Sequence, residues 1–109
     1  MNTSSREWFA VDRTTSVAGG EREIVVNGVV DLPSSSHTAR LVKAEPQGFN
    51  PSILLIDLLI EQSGIGADVI TPRAVEYNER PIKEGQYEQV DVRSDQFEIP
   101  LIDVSISHS

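Results

Sequence analysis

Ser34, Ser35 and Ser36 stand directly before His37, so a nucleophile and a base adjoin here. Acyl transfer by such a pair needs a third group to hold the histidine and a pair of donors for the oxyanion. Neither is encoded nearby, and the serine run reads as a polar surface loop. Histidine occurs only at 37 and 108. A transition-metal site would therefore need carboxylates, and these have no recognisable ligand spacing. Asp91 with Asp95, or Asp57 with Glu61, could meet around calcium or run acid–base chemistry on a sugar. With 17 Asp and Glu residues in the chain, such pairs arise by chance. Gly64-Ile65-Gly66 is half a dinucleotide fingerprint with no helix after it, and reads as a turn. No catalytic residue, cofactor-binding residue or metal ligand is assigned, and no cofactor is expected.

Asp57 is different. It interrupts an apolar row, and an unpaired charge there would be costly. The expectation is a solvated or paired acid, with Arg73 on the following strand as the candidate partner. The stretch that must position Asp57 is Asn50 to Gly64, the most apolar run of the chain. As a helix it would begin at an Asn50 cap and Pro51 and stop at Gly64, with apolar residues nearly all round. As a strand it has one unbroken apolar row, Leu54, Ile56, Leu58 and Ile60. Its other row, Ile53, Leu55, Asp57, Leu59 and Glu61, is apolar but broken by acids. The isoleucines, the lack of Ala and Lys, and alternation in neighbouring stretches favour the strand.

The other elements follow from the same alternation. Residues 1–6 form a polar, flexible tail. Glu7 to Arg13 is a short strand with Trp8 and Phe9 on opposite faces and the tryptophan as core anchor. Thr14 to Gly20 is a loop turning at Gly19-Gly20. Asn27-Gly28 is a strong signal for a tight hairpin, but its arms would be only three or four residues long, and Arg22 to Leu32 reads instead as one long strand with Ile24, Val26, Gly28, Val30 and Leu32 on one face. Gly28 marks a bulge or a close approach in that strand. Thr38 to Ala44 is a weak strand near an edge, guarded by Arg40 and Lys43. Pro72 puts the strand that follows Val69 at an edge or a bulge. Tyr87 to Val92 is another strand, and Arg93 to Gln96 a hairpin loop. In the last strand the apolar row changes parity around Pro100-Leu101, which predicts a bulge.

About seven short strands at spacings of roughly 8–12 residues, with turns between, predict an all-β fold. The expected architecture is an antiparallel β-sandwich, a single domain over residues 7–109. At 109 residues the chain can bury roughly 60–70% of its unfolded surface. Cysteine is absent, which removes disulfides and thiolate chemistry. The formal net charge of −8 disfavours phosphate backbones and anionic membranes, so neither nucleic acid nor membrane is an expected partner. No apolar stretch reaches the roughly 18 residues of a membrane span. The N-terminus lacks the basic-then-apolar pattern of a signal peptide, giving an expected cytoplasmic location.

Two functions fit. In the first, Leu54, Ile56, Leu58 and Ile60 fill the core. Ile53, Leu55, Asp57, Leu59 and Arg73 then make an outer interface for a second copy or another protein. This is a non-catalytic interaction or self-assembly module, and Leu55→Lys would break the contact. The alternative is a small-molecule or calcium-binding domain whose site is built by the polar loops Ser34–Thr38 and Asn78–Gln86.

Overall fold

A computed structural model describes residues 4–14 and 20–107. The expected loop over 15–19, with Gly19, lies outside the described residues, as do His108 and the first three residues of the tail. Seven strands follow in chain order: β1 (Ser5–Thr14), β2 (Arg22–Leu32), β3 (His37–Lys43), β4 (Ile53–Gln62), β5 (Thr71–Glu79), β6 (Gln89–Arg93) and β7 (Ile102–Ile106). They form one seven-stranded sheet in the order β3-β4-β6-β7-β1-β2-β5, curled until it is nearly a barrel.

All-β with seven strands agrees with the alternation. The antiparallel sandwich does not. β4 pairs parallel with β6, and β1 pairs parallel with β7, so the sheet is mixed. Turn spacing and alternation are the same for sandwich and barrel, and neither encodes strand direction. β4 and β6 run the same way because β5, between them in sequence, crosses to the far end of the sheet.

The apolar run is a strand, with the rows as read. Leu54, Ile56 and Leu58 are buried, while Ile53, Leu55 and Asp57 are half-buried and Leu59 is exposed. The inner rows of the other strands meet them: Ala10, Ile24, Val26, Val30, Leu32, Leu41, Val75, Val90 and Val92. Asn50, instead of capping a helix, closes a turn, its Oδ1 accepting from Ser52 N at 3.0 Å.

Several boundaries move. β5 runs through Asn78 and Glu79 of the expected Asn78–Gln86 loop, β3 is His37–Lys43 and takes His37 from the serine loop, and Arg93 ends β6 where a loop was expected. β1 starts at Ser5, so Ser5 and Arg6 of the expected tail are paired with Val30 and Val29. β6 starts at Gln89 and leaves Tyr87 in the preceding loop. The parity change near Leu101 is not a bulge: β7 begins at Ile102, and Phe97 reaches the core from the irregular segment before it. Ser94 Oγ orders that segment by accepting from the amides of Gln96 and Phe97.

Gly28 lies opposite the one bulge in the β1–β2 pairing, between Arg6 and Phe9. Two residues, Glu7 and Trp8, face it there. Glu7 takes the left-handed conformation (φ 59°), which a non-glycine residue adopts only when its surroundings impose it. The turn sends Trp8 inward across Gly28, where a Cβ would meet Trp8 Cε3 at 2.3 Å. Trp8 packs on the core, and its indole Nε1 is buried without a hydrogen-bond partner among the described residues. Gly28→Ala should therefore cost roughly 1–3 kcal/mol in urea unfolding, the range for overpacking a filled core. Trp8→Leu in the same chain should recover part of that loss. A neutral Gly28→Ala would mean the ring moves aside freely.

Candidate functional site

Period two puts alternate β4 side chains on the outer surface, and pairing supplies their neighbours. Val42 and Arg40 of β3 sit beside Asp57 and Leu59; Gln89, Asp91 and Arg93 of β6 sit beside Ile53, Leu55 and Asp57. Asp57 is paired, but not with Arg73. Its partner is Arg93, whose Nε donates to Oδ1 at 2.9 Å, with NH2 at 2.9 Å from the same oxygen. The β4–β6 pairing sets residue 57 against residue 93, whereas β5, which carries Arg73, lies at the far end of the strand order.

Arg73 points elsewhere. Its Nε donates to the His37 carbonyl at 3.3 Å and its NH2 to the Ser35 carbonyl at 3.0 Å. It belongs to the β3–β5 junction and is separate from the candidate interface. Leu55 is also less open than its row suggests. The Gln47 side chain accepts from Leu55 N at 2.9 Å and donates to Leu55 O at 2.8 Å, and Gly48 approaches the leucine side chain. Leu55→Lys would disturb this loop before it disturbed a partner. Leu59 is the open position, 36% exposed. Two shallow hollows flank it. One, of about 340 Å³, is walled by Thr38, Arg40 and Glu61, and the other, of about 410 Å³, by Asp57, Arg93 and Asp95. Arg40 pairs with Glu61 at 3.3 Å, so each hollow has an arginine–carboxylate pair on its wall.

The serine loop is ordered, and its histidine is in reach. Ser34 Oγ lies 2.6 Å from His37 Nδ1 and 2.8 Å from Ser36 Oγ. The hydroxyl is buried in the turn, at 5% residue exposure, and also accepts from Ser36 N at 3.3 Å. Ala67 clamps the loop by donating its N–H to Ser35 Oγ at 2.8 Å and accepting from Ser35 N at 3.1 Å. A hydroxyl so enclosed closes a turn and has no room for a carbonyl substrate. Among the described residues, no three His, Asp or Glu side chains gather as a metal-ligand set.

The strongest electrostatics lie at one mouth of the barrel, on inner rows. Asp12 is fully buried: Arg22 holds one carboxylate oxygen through Nε, and Gly85 N donates to the other at 2.8 Å. Arg22 also donates to the carbonyls of Asp12 and Ser107. Beside them, Glu79 accepts from Tyr77 OH and Tyr87 OH at 2.7 Å each, and Lys43 Nζ lies 3.1 Å from it. Burial pushes the Glu79 carboxyl up, but the bonds from Tyr87, Tyr77 and Lys43 together outweigh it and hold it below its ordinary value. Burial opposes the charge on Lys43 likewise, and Glu79 overcomes it, so the ammonium is held above its ordinary value. Both tyrosines are pushed up, by burial first and then by Glu79. The residue-by-residue reading missed all of these. The available signal was parity: Asp12 follows Trp8 and Ala10 on one row, and Arg22 leads Ile24 and Val26 on another.

No protein-family model, curated protein or solved structure matches the chain. No helix among the described residues is long and apolar enough to cross a membrane.

Asp12→Ala takes the buried carboxylate from the Arg22 guanidinium, leaving it two carbonyls and the exposed Glu84, and strips the Gly85 amide of its acceptor, so urea unfolding should show a loss of roughly 3–5 kcal/mol. Asp12→Asn, which keeps an acceptor, should lose less. Glu79 has a depressed folded-state pKa, so its contribution is present above the ordinary carboxylate value of about 4.3 and fades as pH falls through the folded value. Melting temperature against pH should drop on acidification, and Glu79→Gln should flatten that drop while lowering stability at neutral pH. An identical acid limb in both proteins would remove Glu79 from the account.

Proposed function

We propose that the chain is a non-catalytic protein-interaction module whose contact face is the outer surface of β3, β4 and β6, centred on Leu59. One observation carries this reading. An exposed leucine stands between two hollows, and each hollow has an arginine–carboxylate pair on its wall. Interfaces are enriched in arginine and concentrate their energy on a few central apolar or aromatic anchors. Exposed ion pairs are individually worth about 0–1 kcal/mol, so a partner can re-pair Arg40 and Arg93 at little cost. The open hollows suit an inserting side chain, and their walls offer both signs of charge. Ile53 and Val42, half-buried on the same surface, extend the apolar contact toward the Gln47 loop.

The test places a photo-reactive benzoylphenylalanine at Leu59 or, as control, at exposed Glu76 on β5. Irradiation in a native lysate should give a discrete protein adduct from position 59 and none from 76. An adduct at twice the chain's mass would identify a second copy as the partner. No adduct at 59, or equal adducts at both positions, overturns the reading. Leu59→Lys should abolish capture by a photo-probe at neighbouring Thr38 while shifting stability by no more than about 0.5 kcal/mol, as expected of an exposed site.

A further inference from the structure

β3 and β5 are the two ends of the strand order, yet their Cα atoms approach within 8 Å. No ladder joins them; every other neighbouring pair around the sheet has one. The two strands run in the same direction. Arg73 reaches the His37 carbonyl at one end, and Glu79 meets Lys43 at the other, 36 residues apart in both cases. Between these two tethers nothing polar crosses among the described residues.

The backbone phase explains the gap. Ser36 O is taken by Ser63 N, and Ala44 N bonds Leu55 O, so the even-numbered residues of β3 face β4. The His37 carbonyl faces β5, and Ala39 and Leu41 share its phase. Across the gap stands the free edge of β5, where Pro72 has no N–H to leave unpaired. The barrel is thus closed by side chains along one line and by backbone ladders everywhere else. The inner row behind that line is apolar: Leu41 and Val75 are buried, and Tyr77 packs on them.

We propose that the barrel opens along the β3–β5 seam, with Arg73 and Lys43–Glu79 as the two latches, and that opening uncovers Val75 while the β1–β2 half stays closed. Such sub-global openings begin where cooperative backbone bonding is least. Here that is the seam, because freeing it breaks the latch contacts and the Ser35–Ala67 loop bonds but no ladder.

The chain has no cysteine, so a single introduced thiol reports alone. Val75→Cys places it behind the seam, and Val26→Cys places it in the β2 core, two near-isosteric changes at buried sites. In native buffer, Ellman's reagent should label Cys at 75 at least ten-fold faster than at 26. Adding Arg73→Ala or Lys43→Ala should speed labelling at 75 several-fold further and leave 26 unchanged. Equal rates at both positions, or equal acceleration by latch removal, would mean that only global unfolding exposes the interior and would overturn the proposal.

Discussion

A carboxylate with no access to water must be satisfied entirely by protein, and Asp12 is such a group. Its side chain binds Arg22 at the start of β2 and the Gly85 amide in the loop before β6. Its carbonyl accepts from Ser107 just beyond β7. Three separated stretches of chain therefore converge on this one residue. Arg22 adds to this through its own carbonyl, which accepts from Ile82 N at 2.9 Å. Removing water from an ion pair is expensive, and only this many directed bonds can offset it. The return is positional: β1, β2, the 80–86 loop and the end of β7 are fixed at one mouth of the barrel.

The second network fills the same mouth by the same means. Glu79 draws two phenolic donors and an ammonium to one carboxylate, and its own strand is an end of the sheet. Directed bonds here take over a task that the ladder cannot perform, since β3 and β5 have none between them. At the other mouth the packing is tight, and Arg73 is tied there to the Ser35 and His37 carbonyls. Gly66 comes so close to Ser36 N that a Cβ would sit 2.4 Å from it, and the serine loop and the 63–70 segment hold each other. Polar chemistry that looked functional, the Ser34–His37 contact, is used to make that junction. On the outside of β4 the ion pairs are exposed and weak.

Strand identity was legible because it is local. The β4 rows, the single long β2 and the special role of Gly28 follow from alternation and from the space a glycine leaves. The tryptophan's inward path was also legible in kind, since a lone large aromatic belongs in the core. Its mechanism was not. The bulge sits in β1, on the partner of the glycine, and nothing in residues 5–9 announces a left-handed Glu7. Neighbours were equally hidden: Arg73 lies on the next strand in sequence, but β6 is the strand beside β4 and supplies Arg93 to Asp57.

By itself the sequence determined an all-β chain of seven strands, their inner and outer rows, and the burial of the Leu54, Ile56, Leu58 face. Each of these rests on a period that any few consecutive residues display. Only the tertiary structure decided the mixed sheet and its near-closure, the partner of Asp57, the covering of Leu55, and which acids are buried. Those outcomes depend on which distant strands become neighbours. Alternation is blind to that choice, because a strand presents the same rows whether its neighbour runs with it or against it.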